Sequence, residues 1–233
     1  MIPLFSYYTI IILILMLIWT VIFISRPDLR REMVTLGVLA IFLLPLALTV
    51  GSQTQLDIQN NFSQLSLTDM FFAFLLAGIA GVIFHALFGK HYHKLPKPKK
   101  TKNKQPDTVA HFWVLRLFLA FLFFVWGVVL LGYIFDLSLP EAVILASIMV
   151  AIYIVSHRRD LLADALWSAA LTMLIVFITA SVASIFAQTN FGITPIYSDA
   201  SIFSVPLDLI IWSAALGLAL GPLYEYIRRM QLK

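Results

Sequence analysis

Apolar residues in this chain run in long unbroken blocks rather than in the narrow stripes of a soluble amphipathic helix. A hydrocarbon layer about 30 Å thick takes about 20 apolar residues per helix. That length picks out seven spans: Pro3–Ser25, Met33–Val50, Thr68–Phe88, Val109–Phe135, Leu139–Ser156, Asp164–Ala187 and Pro206–Ile227. Polar residues collect between the blocks. The expected fold class is an all-α membrane protein with seven transmembrane helices.

Composition sharpens this picture. Of the 233 residues, 61% are hydrophobic and 12% charged, against about 45–50% and 25% in soluble chains. A soluble enzyme is excluded, and membrane lipid is the expected surrounding. The absence of cysteine removes disulfides, thiolate nucleophiles, iron–sulfur clusters and thiolate zinc sites.

The sixteen basic residues fix an expected orientation, because Lys and Arg accumulate in cytoplasmic loops. Arg26, Arg30 and Arg31 follow span one, and seven lysines from Lys90 to Lys104 follow span three. Arg158 and Arg159 follow span five, and Arg228, Arg229 and Lys233 follow span seven. Arg116 lies close enough to the same side to snorkel. An integral cell-membrane protein with its N-terminus outside and its C-terminus cytoplasmic is predicted. The run from His91 to Asp107 is rich in Lys and Pro and reads as a mobile cytoplasmic linker. It has no folded scaffold, so no nucleic-acid partner is expected.

A weak internal repeat organises the spans. Arg26-Pro-Asp28-Leu29 aligns with Arg158-Arg-Asp160-Leu161 at an offset of 132. At an offset of 140, Thr68 meets Asp208, Phe72 meets Trp212, Gly81 meets Gly221, Phe84 meets Tyr224 and His85 meets Glu225. Two parallel three-helix repeats joined by one linker helix follow. Residues 1–90 form the first repeat, 91–107 the basic loop, 108–136 the linker helix and 137–233 the second repeat.

Ionisable groups inside a membrane cost several kcal/mol when unpaired, so they are default functional candidates. Asp69 and Asp208 open spans three and seven, where helix capping competes with a functional role. His85 and Glu225 lie about 25 Å deeper by helical rise. Glu141 and Asp164 also open spans, and first-turn capping is enough to account for them. The two Arg-x-Asp-Leu turns read as Asp caps with their arginines in the headgroup layer. Ala77, Gly81, Gly217 and Gly221 are small residues four apart that permit close helix contact. Pro45 and Pro222 are expected to kink their spans. No span contains Lys, which removes a retinal Schiff base, and no His-Glu-x-x-His helix is present. His91 and His93 have no evident third ligand, so no metal is expected.

Ser66-Leu-Thr68-Asp69-Met-Phe-Phe opening span three, Val205-Pro206-Leu207-Asp208-Leu209-Ile-Ile-Trp212 opening span seven, and the Arg-Pro-Asp-Leu-Arg-Arg turn resemble the small membrane lycopene cyclases. Gly221-Pro-Leu-Tyr224-Glu225 closes the last span similarly. In that family two three-helix units are separate subunits or are fused through an extra helix, and two adjacent acids at each third-helix opening are implicated in catalysis. Here the slots hold Thr68 with Asp69 and Asp208 with Leu209, one acid each.

The resemblance implies acid-driven ring closure of a linear carotenoid end group, an isomerisation that needs no cofactor. Asp69 and Asp208 would be the catalytic acids. Phe72, Trp212, Thr68, His85, Tyr224 and Glu225 would line the substrate, a hydrophobic isoprenoid or carotenoid. A non-catalytic isoprenoid or lipid binder is the alternative favoured by the missing second acids. A small-solute transporter like the SWEET carriers is a further one.

Overall fold

The computed structural model describes residues 7–51, 67–89, 92–94, 113–137, 139–187, 201–202, 205–228 and 230–232. The fold is all-α. The long helices are α1 (Tyr7–Ser25), α2 (Arg30–Gly51), α3 (Leu67–Phe88), α4 (Trp113–Ile134), α5 (Leu139–His157) and α6 (Leu162–Ala187). The last span is divided into α7 (Leu207–Leu220) and α8 (Leu223–Arg228). All seven apolar blocks are therefore helical where they are described; residues 3–6 and 109–112 of the expected spans lie outside the described residues. The break falls at Gly221-Pro222, where the ring of proline cannot donate a backbone hydrogen bond. The backbone of α2, in contrast, stays helical through Pro45.

Among the described residues four helical stretches, Leu67–Phe88, Leu115–Ile134, Arg159–Ile185 and Leu207–Arg228, are long and apolar enough to cross a membrane. Thr9–Ser25 and Glu141–His157 are shorter apolar helices.

The turns after α1 and α5 are built alike. Arg26 N–H bonds to Ile22 carbonyl and Leu29 N–H to Arg26 carbonyl; Arg158 N–H bonds to Ile154 carbonyl and Leu161 N–H to Arg158 carbonyl. Leu29 and Leu161 are then fully buried plugs beneath the turns. The second turn closes through a short 3₁₀ segment, Arg159–Leu161.

The helices pack in corresponding ways. α2 lies along α3, and α6 lies along α7. α1 also rests on α3, and α5 on α7, so each third helix lies between the other two. α3 further contacts α6 and α7, and α4 contacts α2 and α5.

Glycine sets these approaches. A Cβ on Gly217 would stand 2.6 Å from the Ser168 carbonyl oxygen and 2.9 Å from Ala169 Cα, and one on Gly221 would meet Ser168 Cβ at 2.5 Å. A Cβ on Gly81 would meet Leu36 Cδ1 at 2.0 Å. The small-residue faces are thus used within one chain, α3 against α2 and α7 against α6.

Two small antiparallel pairings complete the described chain. Ser201–Ile202 pairs with Val205–Pro206, and Tyr92–Lys94 pairs with Met230–Leu232 in the register Tyr92↔Leu232, His93↔Gln231, Lys94↔Met230. This corrects the expectation of a mobile linker at its start: the chain after α3 is tied to the chain after α8. The remainder of that loop, residues 91 and 95–107, lies outside the described residues.

Candidate functional site

Two levels of side chains sit along the seam between α3 and α7–α8. At the first, Asp69 and Asp208 each occupy the first turn of their helix and are partly exposed. Thr68 is exposed beside Asp69. One turn further in, Phe72 and Trp212 stack on each other, ring centroids 6.4 Å apart and planes inclined by 14°. That separation lies within the range of favourable aromatic pairs. The two carboxylate-bearing openings thus converge on one aromatic pair.

The second level is about 24 Å away along α3 by helical rise. There His85 Nε2 contacts Glu225 Oε1, and both side chains are fully buried. Asp164, in the first turn of α6, joins them: one ligand atom from each of His85, Asp164 and Glu225 lies within 4.8 Å of the others. Asp164 Oδ1 accepts a hydrogen bond from the Ser168 hydroxyl at 3.3 Å. Phe84 packs its ring against His85 at 5.4 Å, while Tyr224 lies under the Arg228 guanidinium at 5.2 Å.

Two arginines hold this level from outside. Arg26 Nη1 donates to the carbonyl of His85 at 3.0 Å and to that of Ala86 at 3.2 Å, and its guanidinium pairs with Asp28. Arg158 Nη1 donates to the carbonyl of Glu225 at 3.1 Å, and its guanidinium pairs with Asp160. The last carbonyls of a helix lack intrahelical donors, and a guanidinium satisfies them while opposing the negative end of the dipole. These turns do more than the expected capping. Their aspartates pair with the neighbouring arginines, and the arginines tie down the ends of α3 and α8.

The candidates therefore separate into two groups. Phe72 meets Trp212 with Asp69 and Asp208 one turn away, and His85 meets Glu225 with Tyr224 alongside. The two groups stand at opposite ends of the seam and do not form one site.

Two buried acids join the candidates only with the fold in view. Glu32 and Asp164 are each 1% exposed. Asp164 stands in the first turn of α6, as expected, and one of its carboxylate oxygens also lies beside the His85–Glu225 pair. A signal for both exists in the chain: Glu32 and Asp164 stand at the same spacing as the two Arg-x-Asp-Leu turns that precede them.

Comparison with protein-family models, with curated proteins and with solved structures finds no match to this chain.

Proposed function

We propose that this protein is a membrane-embedded, cofactor-free cyclase acting on the end group of a linear isoprenoid of the carotenoid class, similar to the small membrane lycopene cyclases. The observation that carries the reading is the first level of the seam: a carboxylate on each third helix, one turn from a stacked Phe72–Trp212 pair. Asp69 or Asp208, as the carboxylic acid, would protonate a terminal alkene and be left as the carboxylate. The π bond of a neighbouring alkene then closes the ring, leaving a tertiary carbocation that the faces of Phe72 and Trp212 stabilise. Loss of a ring proton to a carboxylate restores neutrality, so the product is an isomer of the substrate.

The proposed architecture is two parallel three-helix units joined by the linker helix α4, all crossing the membrane with the N-terminus outside. Exposed apolar side chains support it. Leu17, Ile24, Phe42, Trp126, Ile134 and Ile152 are large and exposed on the helix surfaces, a pattern that a monomeric water-soluble protein avoids. Only 11% of the apolar stretch of α4 is buried, although it is the most apolar of the four long stretches. Contacts that recur between the two halves support the two-unit reading: Arg26 on His85 matches Arg158 on Glu225, and Leu36 on Gly81 matches Ser168 on Gly221.

The test is expression in a bacterium that accumulates lycopene, with pigments extracted and resolved beside Asp69→Asn, Asp208→Asn and empty-vector controls. Cyclised pigment that disappears in either variant is the expected result. Unchanged lycopene, with the protein shown folded in the membrane, overturns the cyclase reading and leaves an isoprenoid or lipid binder.

A further inference from the structure

The cyclase reading leaves the second level of the seam without a role. His85, Asp164 and Glu225 come from α3, α6 and α8, three elements distant in sequence, and all three side chains are at most 1% exposed. Converging an imidazole and two carboxylates away from water is costly unless something balances their charge.

We propose that His85, Asp164 and Glu225 bind a divalent first-row metal ion. Three features of the cluster carry this. The first is ligand chemistry, since one imidazole nitrogen and two carboxylate oxygens form a donor set suited to Zn²⁺, Mn²⁺ or Fe²⁺. The second is geometry. One ligand atom from each residue already lies within 4.8 Å of the others. Two ligands at about 2.1 Å from one ion stand at most about 4.2 Å apart, so side-chain torsions have only about half an ångström to close. The third is an oxygen in want of a partner: Glu225 Oε2 is buried and meets no hydrogen-bond partner among the described residues.

Charge closes the case. A neutral imidazole, two carboxylates and one divalent cation sum to no net charge, which is the state a buried site tolerates best. The supports of a metal site are also present. Ser168 donates to Asp164 Oδ1 and orients that carboxylate, as outer hydrogen bonds commonly do. Arg26 and Arg158 fix the backbone carbonyls of the His85 and Glu225 residues themselves. The ion would thereby lock the ends of α3 and α8 to the start of α6, joining both proposed three-helix units at one point.

The experiment uses the full chain, purified in detergent through an affinity tag free of histidine and in a His91→Ala/His93→Ala background. The protein is stripped with a chelator and titrated with Zn²⁺ and with Co²⁺. One ion per chain, a rise in melting temperature and a Co²⁺ ligand-field spectrum are expected. Affinity falls at least about ten-fold in His85→Gln and in Asp164→Asn, and stays unchanged in His157→Gln, whose side chain is exposed. X-ray absorption at the zinc edge of the unmutated protein reports one imidazole with oxygen ligands, and this readout does not depend on any variant folding. The proposal is overturned if the folded protein takes up no stoichiometric metal, if the absorption spectrum lacks imidazole, or if His85→Gln/Asp164→Asn/Glu225→Gln binds as tightly as the parent. None of these outcomes touches the cyclase reading, which is decided by pigments at the opposite end of the seam.

Discussion

The two ends of the α3–α7 seam are assembled from matched positions and yet present opposite chemistry. At one end Phe72 and Trp212 meet, with Asp69 and Asp208 partly exposed in first turns; at the other His85 and Glu225 meet in full burial beside Asp164. Equivalent placement in the fold does not make residues functionally equivalent. The first turn of a helix tolerates a carboxylate, because free backbone amides and the dipole favour it. Asp164 also stands in a first turn, but the buried end is closed to water, so its polar groups must answer one another. Removing a group should therefore cost stability at the buried end and activity at the aromatic end.

The largest effect expected is from His85→Ala, which leaves Glu225 and Asp164 buried without their imidazole. A loss of about 3–5 kcal/mol is expected, read as a lowered melting temperature or a reduced folded fraction in detergent. A variant as stable as the parent would show that the buried level is not a mutually dependent cluster.

Next comes Gly217→Ala. Its new Cβ would stand 2.6 Å from a backbone oxygen of α6, and the helices must move apart at about 1–3 kcal/mol. Gly127→Ala is the matched control: its Cβ meets Ala146 Cβ at an ordinary 3.4 Å, and helix propensity favours alanine by about 0.5–1 kcal/mol. Equal melting temperatures for the two variants would contradict the close approach of α6 and α7.

Smaller again is the loss from Arg158→Gln, whose guanidinium bond to the Glu225 carbonyl is worth about 1–2 kcal/mol. Arg26→Gln should cost a similar amount through the His85 carbonyl, and a large asymmetry between the two would break the correspondence of the turns. The smallest stability change, no more than about 1 kcal/mol, is expected for Asp69→Asn and Asp208→Asn. These same variants are expected to abolish cyclised pigment, so the ordering by stability runs against the ordering by activity.

Much of this is legible in the chain. The apolar blocks locate all seven helices because an apolar helix of this length has one dominant requirement, an uninterrupted apolar run, and the sequence meets it without ambiguity. Pro222 announces the break between α7 and α8. The repeat aligns His85 with Glu225 and Phe72 with Trp212 by sequence alone, but an alignment of equivalent positions does not say whether they touch, and contact depends on α3 and α7 packing on each other.

Asp164 is harder to read. An acid in a first turn has a sufficient local explanation in capping, and nothing in the segment itself shows that α3 and α8 bring an imidazole and a carboxylate to it. Glu32 is hidden for a related reason, since its counterpart in the repeat follows the offset of the Arg-x-Asp-Leu turns and not that of the third helices. The pairing of Tyr92–Lys94 with Met230–Leu232 joins segments far apart in sequence, and strands this short carry no periodicity to detect.

The seam between α3 and α7 carries both levels, so the meeting of matched positions is the point to measure. The chain contains no cysteine, which allows Phe72→Cys/Trp212→Cys to be introduced in membranes and treated with a short thiol-specific cross-linker. Protease cleavage in the lysine-rich loop then shows whether the two halves stay joined on a gel. The matched pair is expected to cross-link, whereas Phe72→Cys/Tyr224→Cys, displaced by about 18 Å of helical rise, is expected to separate. Joined fragments from the mismatched pair, or separated fragments from the matched pair in folded protein, would contradict the arrangement on which both sites depend.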